Sequence, residues 1–306
     1  MLLKDRTEPL ELLILRSLYI RGSLTEKEKY RYLSLEKGFE GEKKFDMLAD
    51  DFIKEERYII NDLLLEVNNS FFQIDKLIVS QGAIHLIDVK NFEGDYYMDA
   101  DRLFSATTKR EYKNPVIQLK RSETLFRQLL QNLKQSFPVE PYIIFINPEF
   151  TLYQAPMDQS LIFPTQVNRF LVDLNNTPSK LNDNHKKLAH KLVSLHRALN
   201  PYTILPIYTY EDLQKGIWCR ICQSFMVSIK KIKNSYLICA GCGGREKLEQ
   251  AILRNIEEFK LLFPDKNITT RNIYNWCLVE LHTKTICRIL KNHYTAYGKT
   301  KETYYQ

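Results

Sequence analysis

Residues 71–94, FFQIDKLIVSQGAIHLIDVKNFEG, constrain the fold more than any other stretch. Two runs rich in β-branched and aromatic residues, 71–79 and 83–89, flank Ser80-Gln81-Gly82, which predicts a β-hairpin. Inside these apolar runs stand Asp75, Asp88 and Lys90. Charges in strands are costly to bury unless they are paired or bound to a metal. A hairpin turning at 80–82 sets Asp75 and Asp88 opposite one another, and Lys90, two residues after Asp88, shares its face. Two carboxylates meeting at a sheet edge offer the hard oxygen ligands that suit Mg²⁺ and leave positions for water. A lysine beside them can orient such a water or offset charge on an attacked phosphate. A surface ion pair of Lys90 with Asp75 or Asp88 accounts for the same residues, and the three residues alone do not choose.

The surrounding pattern is more specific. QIDKLIVSQGAIHLIDVKNFEG, Gly38-Phe39-Glu40-Gly41-Glu42 (a GxxGE) and Asn114-Pro115-Val116-Ile117-Gln118 (an NP-x-x-Q) occur in this order. Together they resemble the nuclease-related domain (NERD), a family of the restriction-endonuclease-like superfamily. That superfamily's signature is an acid followed, on the next strand, by (Asp/Glu)-x-Lys. The resemblance covers roughly residues 30–150. It departs at position 88, where the family usually has Glu and this chain has Asp, whose shorter arm still ligates Mg²⁺.

The resemblance implies phosphodiester hydrolysis, with DNA as the expected substrate. Asp75, Asp88 and the Val89 carbonyl would hold Mg²⁺ or Mn²⁺, and Glu42 would be an additional acid on the metal or its water. Lys90 would position the attacking water, and Gln118 would orient that water or Lys90. Without the family pattern, Glu42 reads as an ordinary exposed helix glutamate.

Residues 9–20 have helical spacing and are expected to pack on the nuclease core; 24–36 read as a solvated helix or linker. A helix is expected from about 36 to 56, with Phe45, Leu48, Ala49 and Phe52 facing inward, then a strand at 58–67. Pro115 suits the first turn of a helix running to about 135, and 141–147 should be a buried strand closing the sheet. The fold class is therefore α/β, a mixed central sheet flanked by helices, restriction-endonuclease-like. The expected division is an N-terminal helical extension (1–35), the nuclease-like domain (36–150) and a helical connector (151–212). A zinc ribbon (213–244) and a basic helical domain of DNA-binding type (245–306) follow.

Cys219-Arg220-Ile221-Cys222 and, sixteen residues on, Cys239-Ala240-Gly241-Cys242 form two CxxC pairs. Four thiolates in two such knuckles suit tetrahedral Zn²⁺, with a redox pair as the competing reading. Four sulfurs leave no open position, so this zinc would be structural. The intervening Lys230, Lys231 and Lys233 suit phosphates. Residues 266–302 carry seven Lys/Arg against two Glu and have the layout of a helix-turn-helix. Lys284, Arg288 and Lys291 lie on its second helix; a small helical cap on the ribbon is the alternative. Cys277 and Cys287, flanked by apolar residues, read as core thiols.

The net charge of +7 favours a polyanionic partner. No stretch approaches the roughly 20 apolar residues that span a bilayer, and the first residues mix acids among the apolar ones, so no membrane partner and no signal peptide are expected. Two CxxC pairs in a chain with no expected signal peptide read as metal ligands in a reducing compartment, so a cytoplasmic location is expected. Cutting both strands of a duplex with this fold takes two sites, which a homodimer would supply. Two other functions stay open: a nucleic-acid-binding or regulatory protein that uses the nuclease fold as a scaffold, and an RNA-processing enzyme.

Overall fold

The computed structural model describes residues 1–22, 24–157, 160–225, 228–230 (backbone only), 236–278, 282–298 and 303–306. The chain opens with β1 (Leu2–Lys4), α1 (Leu10–Ile20) and α2 (Glu26–Phe52). It divides into two compact units: Met1–Pro9 with Leu33–Thr203, and Leu10–Tyr32 with Ile204–Gln306. The 9–20 stretch is helical as expected, but α1 groups with the second unit, which corrects the expectation that it packs on the nuclease core. The polar stretch before residue 36 is helix rather than linker. Thr25 and Glu28 cap α2 reciprocally, Thr25 N–H donating to Glu28 Oε2 at 2.8 Å and Glu28 N–H to Thr25 Oγ1 at 3.4 Å.

The first unit continues with β2 (Tyr58–Val67), β3 (Ser70–Val79) and β4 (Ile84–Lys90), then β5 (Gly94–Asp99), β6 (Arg102–Ser105) and β7 (Glu111–Tyr112). Next come α3 (Pro115–Asn132), β8 (Val139–Phe145), β9 (Phe150–Tyr153), β10 (Leu161–Ile162), α4 (Val167–Asn176) and α5 (Asp183–Ser194). Asn114 caps α3 by accepting from the Val116 N–H at 2.8 Å, with Pro115 in the first turn, where a missing N–H costs nothing. The main sheet has the order β1-β2-β3-β4-β8-β10 and is mixed. β2, β3 and β4 are antiparallel, while β1 on β2, β8 on β4 and β10 on β8 are parallel. The 141–147 strand therefore does not close the sheet; β10 pairs outside it. A smaller sheet has the order β7-β6-β5-β9.

Helices cover both faces of the main sheet. On one, Leu119, Phe126 and Leu130 of α3 and Leu188 and Leu192 of α5 pack against Leu65, Phe72, Leu77, Leu86 and Ile143. On the other, Phe45 and Ala49 of α2 and Leu171 of α4 pack against Ile78, Ile87, Val89 and Ile144. This is the mixed α/β architecture expected, a central sheet between helical layers.

In the second unit β11 (Ser228–Lys230), β12 (Tyr236–Ile238) and β13 (Arg245–Lys247) form an antiparallel sheet. α6 (Leu248–Leu262), α7 (Thr270–Cys277) and α8 (Thr283–His293) follow, and β14 (Ala296–Tyr297) pairs with β15 (Tyr304–Tyr305). Thr269 caps α7 through the Asn272 N–H, and His282 caps α8 through the Lys284 N–H. Cys277 is buried; Cys287 is half-buried. Among the described residues no helix is long and apolar enough to cross a membrane.

The core of this unit is organised around a buried cation. The Arg21 guanidinium lies 3.7 Å from the centroid of the fully buried Trp276 ring. It donates from Nε to Glu258 Oε1 at 3.1 Å and from Nη2 to Asn255 Oδ1 at 3.1 Å. Removing one partner of a buried pair strands the other. Arg21→Met should therefore destabilise this unit by about 3–5 kcal/mol, read in urea unfolding followed by tryptophan fluorescence. A loss below about 1 kcal/mol would mean that the pair contributes no more than a surface bridge.

Candidate active site

The β3–β4 ladder runs Val79↔Ile84, Ile78↔His85, Leu77↔Leu86 and Lys76↔Ile87, and stops there. The next pair would be Asp75 and Asp88, as the hairpin reading placed them. Instead of continuing the ladder, Asp75 accepts the Val89 N–H on its Oδ2 at 2.8 Å. On its other side, β2 pairs Asn61↔Lys76 and Leu63↔Ile74 but skips Asp62, whose φ of 53° is left-handed. Pairing thus lapses on both flanks of Asp75. Ile74 and Leu77, of opposite parity, both reach the larger core, so the strand changes face across Asp75 and Lys76.

Around this gap the structure gathers Asp75, Asp88, Lys90 and Glu42. The Lys90 ammonium lies 3.0 Å from Asp88 Oδ1 and 2.8 Å from Oδ2. Burial disfavours that ammonium, but Asp88 and Asp75 outweigh it and hold its pKa above the ordinary lysine value. Burial, reinforced by the charge of Asp88, pushes Asp75 up to about 7. Burial and the charge of Asp75 push Glu42 up to about 8, against the pull of Arg6. Glu42 is set close to the strands by Gly41: a Cβ there would lie 2.5 Å from Asn91 Cβ, just beyond β4. Gln118 is exposed on α3, and among the described residues no hydrogen bond joins its side chain to Lys90 or the acids.

Three further residues belong to the cluster and were not singled out in the sequence. Asp46, one turn after Glu42, pairs with the fully buried Lys76 at 2.9 Å. Arg6 donates to Glu42 Oε2 and to Asp46 Oδ2. Lys76 had a local signal, a lysine inside an apolar strand run. Arg6 had none, because its partners lie in distant segments.

The carboxylates of Asp75, Asp88 and Glu42 are hard-oxygen donors, the type that suits Mg²⁺ or Mn²⁺ rather than a softer ion. Lys90 pairs with Asp88 and Arg6 with Glu42, while burial raises the proton affinity of Asp75 and Glu42. Asp75 and Glu42 bind a proton more tightly in the folded chain than in the unfolded one. Their contribution to stability is full below the ordinary carboxylate range, near pH 4, and is lost as pH rises through about 7 and 8. Asp75→Asn has no such proton to lose. In EDTA, its Tm relative to the unsubstituted protein should climb from about pH 5 to about pH 9, and a constant difference would show that Asp75 is not raised.

The four cysteines of the second unit converge as their spacing predicts. Their sulfurs all lie within 4.8 Å of one another, with Cys219–Cys242 at 3.6 Å and Cys222–Cys239 at 3.4 Å. A ZnS₄ tetrahedron with Zn–S near 2.3 Å has sulfurs about 3.8 Å apart. The two knuckles repeat one geometry. Gln223 N–H donates to Cys219 O and Gly243 N–H to Cys239 O, each at 2.9 Å, with left-handed φ of 61° and 71°. At Gly244 a Cβ would fall 3.2 Å from Cys242 Sγ and 3.4 Å from Cys219 Sγ. The Ser224 hydroxyl, ahead of the Cys242 backbone, holds Cys239 down to about 6, toward the thiolate that zinc takes. The cluster can hold Zn²⁺. Treating the purified protein with a thiol-blocking mercurial should release one Zn²⁺ per chain, and Cys239→Ser should abolish that release. Zinc-free protein with four titratable thiols would remove the assignment.

Of the expected phosphate-binding lysines, Lys231 and Lys233 lie outside the described residues, and Lys230 is described only as backbone in β11. Lys284, Arg288 and Lys291 are exposed, follow one face of α8 and line an open groove with Cys287 and Asn292.

The sheet, its covering helices and the acid–lysine gap have the character of a nuclease-like α/β domain. Residues 37–146 match the model of the nuclease-related domain, NERD. No curated protein and no solved structure matches the chain. The match takes in Glu42, Asp75, Asp88, Lys90 and Gln118; it leaves out the first 36 residues and everything after 146, including the cysteine cluster.

Proposed function

We propose that the protein is a Mg²⁺- or Mn²⁺-dependent nuclease acting on DNA. The observation that carries this reading is the meeting of Asp75, Asp88 and Lys90 where strand pairing lapses, inside the segment that matches a nuclease-related domain. Asp75, Asp88 and the Val89 carbonyl would hold the ion, with Glu42 on the ion or its water. The ion's contribution is to lower the pKa of a bound water and to polarise the phosphate. Lys90, kept charged by the acids around it, orients that water and sets positive charge beside the attacked phosphorus. Gln118 is the candidate for orienting the water from α3, and its exposed position allows a substrate to meet it.

The second unit would bind the substrate: zinc holds the knuckles rigid, and α7 and α8 act as a helix-turn-helix that brings Lys284, Arg288 and Lys291 to the phosphate backbone. Two chains would cut the two strands of a duplex, and a reducing, cytoplasmic setting suits the free thiols.

One observation favours a second reading, a nucleic-acid-binding protein without activity. Asp88 is clasped by Lys90 and Glu42 by Arg6, so these acids are partnered without a metal. Among the described residues, the four cysteines are the side-chain group gathered tightly enough to form a metal cluster.

The deciding experiment is cleavage of supercoiled plasmid, single-stranded DNA and structured RNA with Mg²⁺ or Mn²⁺, comparing the unsubstituted protein with Lys90→Ala and with Lys284, Arg288 and Lys291 all changed to Ala. Metal-dependent cutting that Lys90→Ala abolishes while binding persists supports the nuclease. The triple variant should bind more weakly, with a slope of log K against log salt shallower by about 2–3. Salt-sensitive binding with no cleavage of any of the three substrates would leave the binding protein as the function. Cleavage confined to RNA would overturn the choice of DNA.

A further inference from the structure

Arg6 lies outside the family match, yet its guanidinium is part of the acid cluster. Its delivery is a matter of register. β1 runs parallel to β2 with Leu2↔Ile59 and Lys4↔Ile60, and Lys4 Nζ donates to the Asn61 carbonyl at 3.0 Å. This leads residue 6 to the place where Asp62 turns left-handed and β2 drops its pairing with Asp75. The Arg6 side chain is 3% exposed.

The guanidinium divides its donors among three partners. Nε donates to Asp46 Oδ2 at 2.6 Å and Nη2 to Asp46 Oδ1 at 3.3 Å, a two-point grip on one carboxylate. Nη2 also donates to the Asp75 carbonyl at 2.7 Å, a group that the skipped Asp62 pairing leaves available. Asp46 is itself fixed by Lys76. These contacts hold the guanidinium without any help from Glu42. The remaining arm, Nη1, donates to Glu42 Oε2, one helical turn before Asp46. Only one of the two Glu42 oxygens is engaged in this bond.

We propose that Arg6 is a positioning residue of this site: anchored by Asp46 and the Asp75 carbonyl, it fixes the Glu42 carboxylate so that its second oxygen is presented to the divalent cation bound at Asp75 and Asp88. The proposal rests on the metal-nuclease reading of the site and extends it to a segment outside the family match. A lysine cannot replace Arg6, because one ammonium on a flexible stem cannot grip Asp46 at two points, cap the carbonyl and reach Glu42 together.

The test is Mn²⁺ binding to the full chain, followed by electron paramagnetic resonance, in a double-substitution cycle of Arg6→Met and Glu42→Ala. Thermal unfolding in EDTA identifies the temperature at which every variant is folded. Arg6→Met should weaken Mn²⁺ binding about 10- to 100-fold, as the loss of a group that orients a metal ligand does. Added to Glu42→Ala it should cause no further loss, because its effect passes through that carboxylate. Arg6→Lys should bind Mn²⁺ as poorly as Arg6→Met while keeping its Tm closer to that of the unsubstituted protein, and it takes the place of Arg6→Met in the cycle if that variant does not fold. Losses that add in full, or binding by Arg6→Met equal to that of the unsubstituted protein, would overturn the role of Arg6 and leave the metal site intact. Absence of Mn²⁺ binding by the unsubstituted protein would overturn the metal reading itself, and this role with it.

Discussion

A strand that stops pairing leaves backbone groups in need of partners, and the candidate site is built on how this chain meets that need at Asp75. The ladders on both sides lapse at one residue. The Asp75 carboxylate takes the Val89 N–H, and Arg6 takes the Asp75 carbonyl. Buried backbone groups are nearly always satisfied, so a gap of this kind survives only where side chains fill it. Here one of the side chains that fill it, Asp75, is also a candidate acid of the site. The same contacts that keep the sheet intact therefore hold one acid of the site in place, with its Oδ2 turned toward β4.

The charges around the gap follow from its burial. Glu42, Asp46, Asp75 and Asp88 face Arg6, Lys76 and Lys90, four acids against three bases. Fully ionised, the group is one negative charge in excess in a place that solvates charge poorly. The raised proton affinities of Asp75 and Glu42 are the direct consequence. The division of partners is uneven. Asp46 has two bases and serves as an anchor, whereas Asp75 uses one oxygen on a backbone N–H. The cost of the excess charge thus shows on Glu42 and Asp75, the two acids whose proton affinity is raised.

Much of this was legible in the sequence because it is local. The hairpin, the shared face of Asp88 and Lys90 and the strand Tyr58–Val67 follow from alternation and a three-residue turn. The Asn114–Pro115 start of α3 and the two cysteine knuckles follow from residue chemistry at fixed spacing. What escaped was non-local or broke the periodicity. Strict alternation cannot anticipate the change of face across Asp75 and Lys76. Nor can it see that α1, an apolar helix of ordinary pattern, groups with the second unit, where Arg21 at its end meets Glu258. Gly41 stands in the GxxGE pattern, but the residue that requires it, Asn91, lies fifty positions on, beyond any local pattern.

The two candidate metal centres differ in what they leave open. In the cysteine cluster four sulfurs fill a tetrahedron, Gly241 and Gly244 bring backbone rather than side chains against them, and no coordination position is left for a substrate. Zinc there can fix the fold of its unit and nothing more. In the acid cluster the ligands are oxygens held at different strengths, one pinned to a backbone N–H, one clasped by a lysine and one by an arginine from a separate segment. Asp75, Asp88 and Glu42 are the residues that would hold a divalent cation there, and Lys90, which now pairs with Asp88, is the basic group that would stand beside a phosphate. Chemistry in this chain, if it hydrolyses phosphodiesters, therefore belongs to the acids, and the geometry that makes them available is the lapse in pairing at Asp75.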